Sequence, residues 1–409
     1  MNETVAFDPL SPEFAENPYR TYRALRETDK PHYFAAQDMW LLSRYEDIKA
    51  VATNPKLVRS LEGLESAAEA RERQRRANWH DMPYHERFVQ FSLLDSDGPV
   101  HRRLRKLVFG AFTPDALSHL ERHIEAFVQS RLNQLSDRDE VEFIEDFAAA
   151  IPGYVIGRLL GVDEADCPQL RVWSEQVVQF FDVDRSDERK EIAETATREF
   201  HQFLSDLRAE RRQAPRDDLI SRMIEDERNG HYSDDEFIST CMLILMAGHG
   251  STIDVLGTGM HTLLTHPTTL EHLRPDPTAL PGAIDEMFRF ESPLPFFHRH
   301  ALEDTAIRDH DFPAGTTFGL LYGAGNRDPA VFSDADQFDI TRRPNRHLGF
   351  GMGAHLCLGN NLAKLNMRVI FAALLKRFSR IELVDETVLY KRGLSVRGVQ
   401  ALRITWHAC

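Results

Sequence analysis

Cysteine is scarce in this sequence. The 409 residues include four: Cys167, Cys241, Cys357 and Cys409. No two form a Cys-x-x-Cys pair, and such wide spacing argues against zinc sites and iron–sulfur clusters. A disulfide framework is not expected either, because a chain of this length can build its own core. We interpret Cys167 and Cys241 as packing residues and Cys409 as an inert terminal residue, so Cys357 is left to be explained by its surroundings.

Positive charge is also in short supply. The formal net charge is −15 at pH 7, which argues against a nucleic-acid-binding protein. The opening MNETVAFDPLSPEF has no basic start followed by an apolar core, so neither a secretory signal nor a membrane anchor is predicted. No unbroken run reaches the roughly 18 apolar residues that span a bilayer. We therefore expect a cytoplasmic monomer with no membrane partner.

Helical spacing dominates what is present. Amphipathic patterns predict helices over residues 115–135, 145–161, 190–213 and 216–228, and the charged stretch 61–95 indicates a long loop with short helices. Strand-like patterns come after residue 295, where TAIRDHDFPAGTTFGLLYG and GLSVRGVQALRITW each predict a hairpin. No linker or repeat divides the chain. We predict one domain, residues 1–409, mainly α with a small β region.

One helix is predicted to cross the centre of the molecule. Ser233 and Glu236 form a capping box, and the pattern continues to about His266, which gives a length of roughly 50 Å. The middle is apolar all round, as in a buried helix. Gly248 and Gly250 interrupt it at a cost of about 1 kcal/mol each against alanine. They indicate either close packing against another helix or, as we favour, a bulge that makes room for a ligand.

The remaining cysteine lies in LGFGMGAHLCLGNNLAK. Glycines at 349, 351 and 353 permit a tight, bulged turn, and a helical stripe follows Cys357. A thiol at a helix N-terminus has a lowered pKa. Three interpretations are open: a buried structural cysteine, a nucleophile for which no His/Asn dyad is evident, or an axial thiolate to haem iron.

The stretch FGMGAHLCLG, residues 350–359, resembles the haem-binding signature F-G-x-G-x-H-x-C-x-G of cytochromes P450 at all six fixed positions. Other motifs follow the order of that family: HRRLR with His101 and Arg105, EMFR with Glu286 and Arg289, and GAGNRDP. The resemblance covers nearly the whole chain. It implies the cytochrome P450 fold, with the long central helix over the haem.

The resemblance also implies residue roles. Cys357 is expected to be the fifth ligand of the iron of haem b (iron protoporphyrin IX), with Phe350 screening the sulfur and Gly351 shaping the loop. Glu286 and Arg289 are expected to be structural, with Arg342 as third member of their network. The haem propionates are expected to bind four side chains: His101, Arg105, Arg299 and His355.

One family feature is missing from the central helix. The oxygen-activating motif of the family is A/G-G-x-D/E-T, whereas this sequence has AGHGST, with Gly250 at the acidic position and Ser251 at the threonine. Oxygen activation consumes protons, which an acid–alcohol relay usually delivers. Ser251 or Thr252 can supply the alcohol of this relay. The proton can come from His249, from a water chain or from a substrate hydroxyl. His249 has the further interpretation, which we favour, that it points away and bonds a neighbouring helix.

By the same resemblance the substrate pocket combines the central helix with aromatic segments. A compact, oxygen-bearing substrate is expected, such as a terpenoid, an aromatic ether or a methoxylated sugar-like compound, oxidised by hydroxylation or O-demethylation. The predicted lining residues are Phe88, Phe91, Phe180, Leu243, Met246, Ala247, Phe296, Phe297, His298 and Val396.

Electrons are expected from separate proteins, because no flavin or ferredoxin sequence is present. We predict NAD(P)H, a ferredoxin reductase and a ferredoxin that docks on the basic residues 102–106, Arg342, Arg343, Lys364 and Arg368. Two alternatives remain: a hydrogen-peroxide-driven peroxygenase and a non-catalytic haem protein that binds a ligand.

Overall fold

The structure, a computed structural model, describes residues 5–408, so Cys409 and the first four residues lie outside it. Most of the chain is helical, as predicted. The helices in chain order are α1 (Pro12–Glu16), α2 (Pro18–Glu27), α3 (Tyr45–Thr53), α4 (Ala67–Arg76), α5 (Pro83–Gln90), α6 (Gly98–Phe109), α7 (Pro114–Gln134), α8 (Ala150–Leu160), α9 (Cys167–Val178), α10 (Asp187–Gln213), α11 (Leu219–Arg228), α12 (Asp234–Ala247), α13 (Gly250–Thr265), α14 (Pro267–Leu273), α15 (Leu280–Phe290), α16 (Tyr322–Gly325) and α17 (Asn360–Arg377).

The strands are short and form small sheets. A five-stranded sheet has the order β1-β2-β8-β5-β3, a three-stranded sheet the order β4-β10-β9, and β6 pairs with β7. All pairs are antiparallel except β2 with β8. The strands are β1 (His32–Phe34), β2 (Met39–Leu42), β3 (Leu57–Val58), β4 (Glu140–Glu142), β5 (Phe296–Ala301), β6 (Thr305–Ile307), β7 (His310–Phe312), β8 (Thr317–Leu321), β9 (Phe378–Leu383) and β10 (Arg403–Ala408).

Most sequence predictions of helices are confirmed. Helix α11 falls within the predicted stretch, α7 and α10 match theirs but begin one and three residues earlier, and α4 and α5 are the short helices expected in 61–95. The stretch 145–161 divides into a π-helical turn, Phe143–Ala148, and α8. Helix α9 was not predicted, although Cys167, Leu170, Trp173 and Val177 are buried at helical spacing and Pro168 stands in its first turn, where proline is tolerated.

The second predicted hairpin is wrong, because residues 393–406 do not pair with one another as two strands. Val399 forms a bridge with Tyr390 instead, and the Lys391 N–H donates to the Gly398 carbonyl, so the turn begins before Gly393. Strand β10 pairs instead with β9 and β4, whose positions in the chain no local pattern encodes.

The predicted central helix is present but broken. The capping box of Ser233 and Glu236 opens α12, which ends at Ala247, and α13 resumes at Gly250. The predicted interruption at the glycines is thus confirmed. A Cβ on Gly248 would lie 3.0 Å from Ile156, so this glycine permits close packing with α8.

The two halves of this helix together are long and apolar enough to cross a membrane, yet 78% of their most apolar window is buried inside the protein. Their side chains belong to one large hydrophobic cluster that also includes residues of α7, α8, α15 and α17. The apolar surface that distinguishes this helix is therefore used for packing in the core.

Candidate active site

The cysteine loop, residues 348–359, is a tight turn that only glycines permit. Gly351 and Gly353 have φ values of 68° and 74°, a region that L side chains rarely adopt. A Cβ on Gly353 would lie 2.3 Å from the Ala52 carbonyl oxygen, and one on Gly349 2.6 Å from that of Phe288. The loop is closed by the Cys357 N–H, which donates to the Phe350 carbonyl at 2.9 Å. The predicted bulged turn is confirmed.

Cys357 is half-buried at the end of this loop, three residues before α17. The sequence predicted a lowered thiol pKa, and that expectation is wrong for the chain alone. Burial raises the pKa of Cys357, and the Gly359 N–H and the charge of Arg105 only partly oppose it. A neutral thiol of this kind becomes a thiolate when a metal ion replaces its proton.

Phe350 lies beside the sulfur in sequence and is held by packing. Its ring centroid is 4.3 Å from that of Phe288, and the Lys364 ammonium lies 5.4 Å from the same centroid. The ring is thereby fixed in the loop, as a residue that screens the cysteine would need to be.

The central helix exposes one short face at its break. Ala247 is exposed and Ser251 partly exposed, although the helix is otherwise buried on both sides of them. A Cβ on Gly250 would meet no atom within 4 Å. The Ser251 hydroxyl donates to the Ala247 carbonyl at 3.0 Å, which places it on this open face. Thr252, in contrast, is 5% exposed and donates to the Gly248 carbonyl.

His249 is not on the open face. It is 2% exposed, and its Cε1 would lie 2.5 Å from a Cβ on Gly153 of α8. The prediction that His249 delivers protons is therefore wrong, because its side chain points away from the open face. The favoured alternative, that His249 points toward a neighbouring helix, agrees with its contact with α8. Burial lowers the pKa of His249 to about 4, so the imidazole is neutral at pH 7.

The four predicted propionate-binding residues are brought together. The rings of His101 and His355 lie 4.3 Å apart. Burial lowers the pKa of His101 to about 4, and the charges of His355, Arg105 and Arg299 add to that effect. Arg105 donates to the Leu356 carbonyl at 2.6 Å. Two guanidinium groups and two imidazoles thus lie close together, although their positive charges repel one another.

Arg299 shows what such a cluster fits. It is 2% exposed and donates to the carbonyl of the adjacent His298 at 2.8 Å, but within residues 5–408 it forms no ion pair. A buried guanidinium without an anion is costly. The two carboxylates of haem are suitable partners for a cluster of this composition, so the residues present fit the cofactor.

Two further members of this cluster were missed. Asp97 accepts from His355 Nε2 at 3.1 Å and from the N–H groups of Arg59 and Ser60 at 2.8 and 2.9 Å. Burial raises the pKa of Asp97, but these hydrogen bonds outweigh burial and hold the pKa below its usual value. Arg59 in turn forms a buried ion pair with Asp95 at 2.6 Å. The only signal in the sequence was an acidic residue immediately before a Gly-Pro helix start.

The expected structural network is fully buried. Arg289 binds Glu286 through two bonds of 2.7 and 2.8 Å, and both side chains are 0% exposed. Arg342 adds a third contact with Glu286 at 3.4 Å. Arg342 is only 7% exposed, which corrects its assignment to the docking surface for a ferredoxin.

The predicted pocket residues differ in exposure. Ala247 is exposed on the open face. Five are half-buried, namely Phe91, Phe296, Phe297, His298 and Val396. Phe88, Phe180, Leu243 and Met246 are buried in hydrophobic clusters. A cleft of about 430 Å³ lies elsewhere; residues such as His123, Tyr154 and Arg158 line it, and none of its lining residues belongs to the cysteine loop or the central helix.

Comparison with known proteins identifies this arrangement. A family model described as Cytochrome P450 matches residues 172–396. The polyketide biosynthesis cytochrome P450 PksS of Bacillus subtilis (strain 168) is 32% identical over 98% of this chain and 99% of its own length. The 6-deoxyerythronolide B hydroxylase of Saccharopolyspora erythraea is 35% identical over 98% and 99%. The crystal structure of epothilone D-bound cytochrome P450epoK matches with a TM-score of 0.90 and 27% identity over 99% of this chain and 100% of its own. The chain belongs to the cytochrome P450 family and is a haem-dependent monooxygenase.

Proposed function

We propose that this monooxygenase inserts one oxygen atom of O2 into a small organic substrate, by hydroxylation or oxidative O-demethylation. The supporting observation is that a half-buried cysteine ends a glycine loop near the converging side chains of His101, Arg105, Arg299 and His355, while the central helix has an open face at Ala247 and Ser251. Haem b held by Cys357 would supply oxygen activation, which a thiolate ligand favours. Among relatives, 6-deoxyerythronolide B hydroxylase is named for a hydroxylation.

The chain itself contributes binding, orientation and proton transfer. His101, Arg105, Arg299 and His355 would hold the two carboxylates of the cofactor and so orient it in the site. Ser251 is the hydroxyl on that face and passes protons from water or from a substrate hydroxyl. Gly250 leaves room for that water where the family usually has an acid.

Electrons are proposed to come from NAD(P)H through a ferredoxin reductase and a ferredoxin, in the cytoplasm. The docking surface comprises exposed residues near the cysteine loop and α6. Arg102 and Lys106 are exposed and, within residues 5–408, without ion pairs. Phe109 and Leu356 are 53% and 43% exposed and supply the apolar contact. Lys364 and Arg368 contribute less, because Asp285 and Glu121 pair with them at 2.7 and 2.9 Å.

The peroxygenase alternative has less support. A carboxylate-binding arginine on the central helix would favour it, and residues 234–265 contain neither arginine nor lysine.

The test has two stages. The reduced, haem-loaded protein is treated with carbon monoxide, and a Soret band at the long-wavelength position of thiolate ligation is expected. A Cys357→Ser variant loses that band. Product formation is then compared with NADH, ferredoxin reductase and ferredoxin against hydrogen peroxide alone. A short-wavelength band in the native protein contradicts the proposal, and turnover with peroxide only favours the peroxygenase.

A further inference from the structure

One cation, Arg185, lies over a ring of an aromatic cluster that includes the predicted pocket residue Phe180. Arg185 lies in the loop that joins the segment after α9 to α10, with its guanidinium carbon 4.8 Å over the Trp79 ring. Its Nε donates to the Phe180 carbonyl at 3.2 Å. The Trp79 ring also contacts the rings of His85, Phe180 and Phe181, with centroids 5.3 to 5.8 Å apart. The loop and the 79–85 segment thus form one aromatic wall.

The guanidinium of Arg185 has no counter-charge in the described part of the chain. The carboxylate of Asp182 acts on it by charge and raises its pKa. That carboxylate accepts the N–H groups of Val183, Leu394 and Ser395 at 2.6, 3.1 and 2.9 Å. Asp182 therefore holds the backbone of two segments together and does not form an ion pair with Arg185.

The other acidic groups of this loop are also engaged. Asp184 pairs with Arg189 at 3.3 Å, and Asp187 accepts from the Asn78 amide at 2.9 Å. The terminal N–H groups of Arg185 thus remain available for an anion from outside the chain.

The charge of Arg185 reaches a predicted pocket residue, His298. Its charge is among those that lower the pKa of His298 on β5, after burial and the charges of Arg59, His300 and Arg299. It also lowers the pKa of His85, a residue with an Nε2 that has no hydrogen-bond partner in residues 5–408. Arg185 thus lies within electrostatic reach of both His298 and His85. Burial lowers its own pKa to about 10, so it remains a cation at pH 7.

Positive charge around His298 exceeds the negative charge that the chain supplies. Arg59 is neutralised by Asp95 at 2.6 Å, and Arg299 is assigned to the cofactor. Among the charges that act on His298, Arg185 is the remaining one with no ion pair in residues 5–408. This local excess of positive charge stands out in a protein with a net charge of −15. A buried or half-buried guanidinium is stabilised by pairing with an anionic hydrogen-bond acceptor such as a carboxylate.

We propose that Arg185 binds the carboxylate of an anionic substrate whose apolar body packs against Trp79 and Phe181 and reaches toward the open face of the central helix. This preference for anionic substrates rests on the proposed monooxygenase function and deepens it. The carboxylate accepts two N–H bonds from the planar guanidinium, and the Trp79 ring holds that plane in place.

The experiment compares acids with their uncharged amides on the haem-loaded protein. The probes are dodecanoic acid with dodecanamide and 4-isopropylbenzoic acid with its amide. Binding is followed by the spin-state shift and, independently of the iron, by calorimetry. Each acid is expected to bind roughly 10- to 100-fold more tightly than its amide, because a hydrogen bond to a charged group is lost in the amide. Arg185→Gln removes this preference, and Arg185→Lys retains part of it.

Arg189→Gln is the matched control. It removes a nearby guanidinium, in the first turn of α10, that already has Asp184 as its carboxylate partner. It is expected to keep the full preference for acids. Equal affinity for acid and amide in the native protein, no binding of either acid by calorimetry, or a preference that persists in Arg185→Gln would each overturn the inference. The carbon monoxide band separates this result from a failure of the proposed function, because Arg185→Gln should leave that band unchanged.

Discussion

The imidazole of His249 lies against the bare backbone of Gly153, where a Cβ would be 2.5 Å from Cε1. Two elements far apart in the sequence, the break in the central helix and the first turn of α8, are thereby locked together. His249 has non-helical backbone angles, φ −100° and ψ −81°. Its side chain fills the space beside α8, so the break has a packing cause as well as a role in opening the helix at Ser251.

Replacing Gly153 with alanine should therefore destabilise the fold. The methyl group would push against an imidazole that is 2% exposed, and overpacking of this kind costs about 1–3 kcal/mol. Gly250→Ala is the control, because its Cβ would meet no atom within 4 Å. It should be neutral or stabilising by up to about 1 kcal/mol. Denaturant unfolding measures both, and equal stabilities of the two variants would contradict this account of the break.

His249 should also make the protein sensitive to acid. Its pKa is about 4 in the fold and ordinarily 6.5, so below pH 6.5 the unfolded chain takes up a proton that the folded chain does not. The stability from this residue is present above pH 6.5 and is lost as the pH falls toward 4, by up to about 3 kcal/mol.

His249→Gln should flatten the decline of unfolding free energy between pH 6.5 and pH 4. The exposed His272 provides the control, since His272→Gln should leave the pH profile as it is. An unchanged profile in His249→Gln would show that this imidazole is not buried as a neutral group.

The Glu286 network should be a determinant of stability. Glu286→Gln removes the charge that Arg289 and Arg342 share in the interior, and a buried pair broken on one side costs about 3–5 kcal/mol. Glu303→Gln removes one partner of the exposed pair with Lys56 and should cost about 1 kcal/mol or less. Thermal unfolding and haem loading are compared in both. Similar losses in the two variants would mean that the buried network contributes little.

The cysteine loop could be predicted from sequence because its requirements are local. Gly351 and Gly353 are needed for the backbone of the turn itself, and Cys357 follows at a fixed spacing. The backbone conformation of this loop is therefore determined by residues within the motif. The interruption of the central helix was predictable for the same reason, since two glycines weaken a helix wherever it packs.

What could not be predicted depends on residues distant in the chain. The helix dipole at Cys357 suggested a lowered thiol pKa, but burial by the surrounding fold outweighs it. The direction of His249 is set by Gly153, and the burial of Arg342 by Glu286. Asp97 escaped notice because its partners, His355 and the Arg59 backbone, come from opposite ends of the sequence.

Ser251 should control how oxygen is used. Ser251→Ala removes the hydroxyl of the open face, so proton delivery should fail more often and a larger fraction of the oxygen consumed should be released as hydrogen peroxide. Product formation should fall about tenfold or more, within the range of general acid–base effects. Thr252→Val is the control, because Thr252 is 5% exposed whereas Ser251 lies on the open face. Unchanged coupling of NADH to product in Ser251→Ala would remove Ser251 from the mechanism.

The proposed docking surface makes a prediction about ferredoxin that salt can test. Arg102→Glu with Lys106→Glu reverses two exposed charges of α6 and should raise the KM for ferredoxin roughly tenfold at low ionic strength, because rim charges act mainly on association. The kcat at saturating ferredoxin should hardly change, and the difference should shrink at high salt as the charges are screened. Lys364→Gln should have a smaller effect, since Asp285 already pairs with this lysine. If Lys364→Gln raised the KM as much as the double reversal, the partner would bind around Lys364 and not along α6.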